Sequence, residues 1–342
     1  MAKMDSLPTE TILGSSWDPK IPILVTMEQE IPKRFLHYQV ASKLGEGKNG
    51  TVFEALDSGH QRAVVVKRLG PGFEEREDLK RMRRHSINSA IPLQHKNVLE
   101  TYAVEEYQGT LLAITEHYDS ETLRQRFDWG PVDPMSVLRI ALEVAEGLDY
   151  VHRQGLRHGN LHPGNIMIDP RGEIKISDFG LPQHRRYREV QNDTNYLTDT
   201  LPYISPEEIV DDCVGQSADL YSLGVILFEA LTGEVPFKAE TEEELEEKIL
   251  KEEPDIKFIR STGVPGEIVL LVERLLSKRK EDRCTSASEL IITIKTICQF
   301  EAQLEEQEET TDSSRYSPRT YLAISAIFVV LFALWSYLAD WQ

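Results

Sequence analysis

The chain has 342 residues, of which 40% are hydrophobic and 28% charged, and its formal net charge is −19. That length holds one large domain or two lobes with an adequate core, and so acidic a chain has no sequence-independent grip on nucleic acid or anionic lipid. Cys213, Cys284 and Cys298 lie far apart without CxxC spacing, which argues against a disulfide framework or a zinc site and fits a reducing cytosol.

Residues 1–34 show neither clear periodicity nor a secretory signal, and they read as irregular. HYQVASKL, GTVFEALD and RAVVVKRL follow as β-prone runs separated by turn residues, predicting a small antiparallel sheet. FEEREDLKRMRRHSI predicts a helix, and NVLETYAVEEY and TLLAITEHY predict two more strands. After Ser120 the apolar period changes from two to three or four. Asp133 reads as an N-cap with Pro134 at the first helical position. Val137, Leu138, Ala141, Val144, Ala145, Leu148 and Val151 then form one apolar face.

A second apolar helix is predicted from Ala218 to Leu231. TEEELEEKILKEEP predicts an exposed acidic helix that touches the body through Leu245, Ile249 and Leu250, its charges forming a solvated face. Residues 301–320 begin as a helical extension and end as an acidic, flexible spacer. The run from Tyr321 to Ala339 carries no charge. As a helix it measures roughly 28 Å at about 1.5 Å per residue, close to a hydrocarbon core. Tyr321, Trp335, Tyr337 and Trp341 lie near its ends, where interfacial aromatics belong. Arg315 and Arg319 precede it and only Asp340 follows, so the positive-inside rule keeps the bulk of the chain cytosolic. The run predicts a single-pass tail anchor. The lack of a basic C-terminal tail points to endomembranes rather than mitochondria.

Gly45-Glu46-Gly47-Lys48-Asn49-Gly50-Thr51-Val52 is a GxGxxGxV pattern between two predicted strands. Glycines there let a hairpin backbone approach phosphates, and the strand–strand setting disfavours a dinucleotide fold. Lys67 ends Val64-Val65-Val66-Lys67, an apolar strand from which an ammonium can reach nucleotide phosphates. Further on come His158-Gly159-Asn160-Leu161-His162-Pro163-Gly164-Asn165 and then Asp178-Phe179-Gly180. With Ser205-Pro206-Glu207, Asp219 in SADLYSLGVILFEALTGEVPF, and Arg283 in KEDRCTSASEL, these motifs resemble the eukaryotic protein-kinase superfamily from about residue 37 to 300. Ile114-Thr115-Glu116-His117-Tyr118 most resembles the hinge of its tyrosine-kinase and tyrosine-kinase-like branches, with Thr115 as gatekeeper.

The resemblance implies an α+β, two-lobed protein-kinase-like fold: a small antiparallel β lobe over 35–118 and a larger helical lobe over 119–300. The spacer over 301–320 and one transmembrane helix over 321–339 would follow. It implies ATP and Mg²⁺ as cofactors. Leu44, Gly45, Gly47, Gly50, Val52, Val65, Thr115, Glu116 and His117 would surround the nucleotide, Lys67 would hold its phosphates, and Asn165 and Asp178 would coordinate the metal. It implies that Glu207 pairs with Arg283.

Several positions depart from that pattern. The catalytic-base aspartate is Asn160, whose neutral amide cannot take a proton; general bases contribute typically about 10²–10⁴-fold. The adjoining arginine is Gly159, which leaves Tyr187, Thr194, Tyr196 and Thr198 without the usual cation for a phosphorylated loop. Val65 stands where the family has a small Ala and crowds the adenine ceiling. The helix glutamate that should pair with Lys67 aligns with Ser86, or with Glu77 if the register shifts. Together these predict a membrane-tethered pseudokinase acting as a scaffold or allosteric partner of other signalling proteins, similar in its HGN triplet to Janus-kinase pseudokinase domains. The alternative is a protein kinase of low activity on Ser/Thr or Tyr. A remoter one is a small-molecule phosphotransferase, since HGNLHPGN resembles the HGDLHPGN loop of aminoglycoside and choline kinases.

Overall fold

The computed structural model describes residues 32–47, 50–70, 77–179, 200–210 and 214–311. The expected membrane span, the irregular segment up to residue 31 and the four candidate phosphorylation sites lie outside them. Among the described residues no helix is long and apolar enough to cross a membrane.

Alternating burial builds the small lobe. Strands β1 (Arg34–Phe35), β2 (Tyr38–Gly47), β3 (Gly50–Asp57), β4 (Arg62–Leu69), β5 (Thr101–Tyr107) and β6 (Thr110–Glu116) form one antiparallel sheet in the order β1-β2-β3-β4-β6-β5. Phe35, Tyr38, Phe53, Ala55, Val64, Val66, Leu112 and Ile114 pack together as its core. Helix α1 (Glu77–Ala90) lies against β5 and β6, and its Ile87 joins Leu69, Leu111 and Ala113 in a smaller cluster. Gly50 has φ +124°, and a Cβ there would lie 1.9 Å from the Arg68 carbonyl oxygen. This glycine is thus required by the close approach of β4, independently of any phosphate.

The large lobe follows β7 (Glu121–Thr122) and the short α2 (Leu123–Phe127). Helix α3 (Pro134–Arg153) starts at Asp133, whose Oδ1 accepts from Ser136 N at 2.9 Å, and buries the expected apolar face. Strands β8 (Ile166–Ile168) and β9 (Ile174–Ile176) complete a small sheet with β7. After α4 (Pro206–Ile209), helix α5 (Ser217–Thr232) is buried on every side, its polar Asp219, Ser222 and Glu229 included, and stops at Gly233 in the left-handed conformation. Helix α6 (Glu242–Lys251) buries Leu245 and Ile249 and exposes its acidic face. Helices α7 (Ile256–Ser261), α8 (Gly266–Leu275) and α9 (Ala287–Thr311) close the lobe.

Among the described residues several contacts join the lobes outside the cleft, on α3 and on β9; on α3, Lys96 Nζ lies 2.8 Å from Glu146 Oε2 and Gln94 N donates to the Tyr150 hydroxyl at 3.0 Å. Asn97 donates its side-chain amide to Glu143 Oε2 at 3.1 Å and to Ile174 O at 2.9 Å. Its carbonyl accepts Ile176 N at 2.9 Å, and Val98 bridges Ile176 in parallel. At the hinge, Lys175 Nζ lies 2.6 Å from Glu116 Oε1.

Candidate active site

Register places the upper wall of the cleft. Val64 and Val66 are buried in the sheet core, so Val65 and Lys67 point to the opposite face. Cross-strand pairing sets Val52 opposite Lys67, Gly45 opposite Val52, and Thr115 opposite Val65, so Gly45, Val52, Val65, Lys67 and Thr115 share that face. Gly45 looks onto open space, with nothing within 4 Å of a Cβ built there. Leu44, beside a β-bulge, is exposed. Glu116 Oε1 also accepts Glu100 N at 2.8 Å, and Glu116 N donates to Glu100 O at 3.0 Å, so its carboxylate and its N–H are both engaged within the protein. His117 Nε2 stands 3.5 Å from Glu54 Oε1 on β3.

The lower wall is the loop from His158 to Asn165, anchored from beneath. The buried Asp219 of α5 accepts His158 N and Gly159 N at 2.8 Å each, and its Oδ2 lies 2.8 Å from His152 Nε2. Burial opposes its charge, but the His152 bond and these N–H groups hold its carboxyl below the usual range. Gly159 has φ +70°, a conformation side-chain-bearing residues rarely adopt. His158 reaches Ser177 O with Nε2 at 2.8 Å and sets its edge against Phe179, with ring centroids 4.5 Å apart. Burial lowers its pKa and favours the neutral ring.

Asn165 donates Nδ2 to Asn160 O at 2.9 Å, and its carbonyl accepts Ser177 N at 2.8 Å. Asp178, at φ +63°, pairs with Lys67 across the cleft. Burial works against the Asp178 charge, but the Lys67 ammonium overcomes this and holds the carboxyl below the ordinary range. The partner of Lys67 is therefore Asp178 rather than Ser86 or Glu77. Glu77 is exposed at the start of α1, 3.9 Å from Lys80. Among the α1 residues whose side chains are described, the buried ones are Lys80, Arg83, Ile87 and Ala90, and Lys80 Nζ meets Glu106 Oε1 at 2.6 Å.

Asn160 is 9% exposed and its Nδ2 is buried without a hydrogen-bond partner among the described residues. His162 Nδ1 accepts Gly164 N at 3.1 Å, while its Nε2 is buried and equally unpartnered. Burial pushes its pKa down to about 3, so the ring is neutral and carries its proton on Nε2. On its far side the Tyr203 ring lies 6.3 Å away. Tyr203 itself donates to Glu229 Oε2 at 2.5 Å, and Arg124 Nη1 meets Glu229 Oε1 at 2.8 Å. Glu207 and Arg283 form a buried bidentate pair at 2.6 and 2.9 Å.

The arrangement suits a nucleotide with Mg²⁺. Asn165 uses its amide nitrogen internally, which leaves Oδ1 for a hard cation, and the Asp178 carboxylate would be the second oxygen ligand. Among the described residues no group of three His, Cys, Asp or Glu is placed to hold a metal ion, so phosphate and water oxygens would complete the shell. Sequence reasoning missed the Arg124–Tyr203–Glu229 triad and the buried donors on Asn160 and His162. The triad joins residues from three separate elements. The donors carried no sequence signal, because which buried nitrogens lack a partner depends on neighbours the fold brings together.

The protein kinase domain profile matches residues 38–295. Curated relatives include the probable serine/threonine-protein kinase pknA2 of Bifidobacterium longum, 28% identical over 73% of this chain and 34% of its own. The serine/threonine-protein kinase PrkC of Bacillus subtilis is 27% identical over 76% and 40%, respectively. PknB of Mycobacterium leprae is 29% identical over 74% and 42%. The chain therefore spans about two fifths or less of the relatives' length. The PknI kinase domain of Mycobacterium tuberculosis superposes with a TM-score of 0.64 at 22% identity, covering 77% of this chain and 97% of that one.

Proposed function

The chain belongs to the protein kinase domain family, and from that premise we propose that it binds ATP with Mg²⁺ but transfers phosphate weakly or not at all. In this reading it is a pseudokinase, tethered to a membrane through residues 321–339, that acts as a scaffold or allosteric regulator of other signalling proteins. The observation that carries it is Asn160: the base position holds an amide whose buried nitrogen is a donor, where chemistry needs an acceptor for the hydroxyl proton. Asp178 would bind Mg²⁺ with Asn165 once its pairing with Lys67 opens, and Lys67 would then turn to the phosphates. The metal would supply charge neutralisation between the phosphoryl oxygens; the chain's own residues position the nucleotide and exclude water. Val65, half-buried on the nucleotide face, narrows the adenine site. An uncharged run after a short spacer would confine the lobes near the bilayer and raise their effective concentration toward membrane-bound partners.

The second reading is a working protein kinase of low turnover. It is favoured by the juxtaposition of Lys67, Asp178 and Asn165 and by relatives whose names are those of serine/threonine kinases. A radiolabelled-phosphate assay on the full chain in detergent decides between them. Transfer to protein at more than about 1% of the rate of an ordinary kinase (about 1–100 s⁻¹) would establish the second reading. Tethering is tested by membrane flotation, where the full chain should float and a version ending at residue 311 should not.

A further inference from the structure

Among the described residues the largest exposed apolar side chain is that of Trp129, which is 80% exposed in the turn between α2 and α3. The turn itself is firmly held. Trp129 N donates to Arg126 O at 3.2 Å, Gly130 N to Phe127 O at 3.0 Å and Val132 N to Ala230 O at 2.7 Å. Val132 is buried, and Pro131 lies so close to the end of α5 that a Cβ on Gly233 would meet its ring at 3.6 Å. The main chain and its neighbours make all of these contacts, so the turn does not need an indole in order to fold. Other exposed apolar residues, such as Leu270 and Ile292, lie singly on helices, which is ordinary. Pro131 and Met135, both exposed, follow Trp129 in the chain.

The route from the large lobe to residues 321–339 leads toward the same place. Helix α9 runs antiparallel to α3. Ser288 Oγ meets Asp149 and lies 3.4 Å from Arg153 Nη2, and further along α9 Lys295 Nζ stands 3.5 Å from Glu146 Oε1, earlier in α3. From Lys295 to Thr311 α9 advances about 24 Å, and from Glu146 back to Pro134 α3 covers about 18 Å. It therefore heads for the end of the lobe where α3 begins, which is where the Trp129 turn sits. Residues 312–320 can span at most about 30 Å, so a bilayer entered at residue 321 is within reach of that end. Indole suits such a neighbour, because its ring is apolar and its N–H can bond at headgroup level. It also needs no charge, in keeping with a chain of net charge −19.

We propose that Trp129 is a second membrane contact, its indole entering the headgroup region of the bilayer that holds residues 321–339 and setting the large lobe at one angle to the surface. This rests on the tethering reading above and adds the face that the lobe turns to the lipid. One indole is too weak to recruit the protein alone; it acts on a lobe already confined at the surface.

The test places the full chain in phosphatidylcholine vesicles with Trp17, Trp335 and Trp341 replaced by Phe, leaving Trp129 as the only indole. Flotation and melting temperature report that this variant is anchored and folded. Exchanging ordinary lipid for lipid brominated near the headgroup should lower Trp129 emission about two-fold or more, as for an indole at the interface. If the variant fails to float, wild type compared with W129F gives the same reading by difference. A floating protein whose Trp129 ignores brominated lipid and is quenched by acrylamide as freely as in detergent would overturn the contact and leave the tether standing. Emission shielded from both quenchers would also overturn it, since protein would then cover the indole. Failure of the wild type to float would overturn the tether and the contact together.

Discussion

Asp219 Oδ1 accepts the Gly159 N–H at 2.8 Å, so the central helix of the large lobe grips the loop at the position where the family resemblance implies an arginine. Asp219→Ala should lower stability by about 3 kcal/mol, because two buried N–H groups lose their acceptor, and chemical denaturation will read this. The folded-state pKa of Asp219 is depressed, so its contribution is present above the unfolded value of about 3.9 and is lost as pH falls through the lower folded value. Asp219→Asn should flatten the stability profile below about pH 4.

Asn160→Asp should raise phosphate incorporation by about 10²-fold if the rest of the machinery is competent. A radiolabel assay on both proteins measures it. An unchanged rate would place the defect elsewhere, with Val65 or the cationic face of α1 the next positions to exchange.

Lys67→Met leaves Asp178 without its partner. The melting temperature without nucleotide should fall by an amount equivalent to about 2 kcal/mol, and stabilisation by Mg²⁺ and ATP should disappear with it. Loss of the second effect without the first would mean that the Lys67–Asp178 pair contributes nothing to the empty state.

His158 and His162 are neutral when folded, their pKa values lowered by burial, to about 3 for His162. Unfolded histidines titrate near 6.5, so below that pH the unfolded chain binds more protons and stability falls as pH drops. The slope is about 1.4 kcal/mol per pH unit for each histidine at full protonation of the unfolded form. His162→Gln should remove one share of that slope between pH 6 and 4, measured by denaturation at several pH values.

The Glu207–Arg283 pair is bidentate and Arg283 is almost wholly buried. Arg283→Ala should cost about 3–5 kcal/mol, since it strands a buried carboxylate. The double replacement of Glu207 and Arg283 by apolar residues of similar volume should cost less than the single one.

Much of this was legible because it is local. Strands β3 and β4 have the bounds that turn residues and alternation predict, and Asp133 caps α3 through its own side chain. The Glu207–Arg283 pair followed from the family resemblance. The partner of Lys67 was not legible: Asp178 lies far along the chain, and counting from neighbouring motifs led to Ser86 or Glu77. Nor did the glycine pattern explain Gly50, whose constraint comes from the backbone of the next strand, at Arg68. The unpartnered nitrogens of Asn160 and His162 depend on which neighbours are absent, and no single-residue pattern encodes that.

Stitching at Asn97 and at the Lys175–Glu116 pair has a mechanical consequence. Both fall on β9, and the Lys96–Glu146 and Gln94–Tyr150 contacts lie beside them on α3, so the lobes are joined along one band. The small lobe should pivot about that band, and α1 and the glycine-bearing strands pivot with it. None of that motion depends on Asn160. A molecule bound across the lobes would therefore sense the swing angle, set by whatever fills the cleft, whether or not any phosphate ever changes hands.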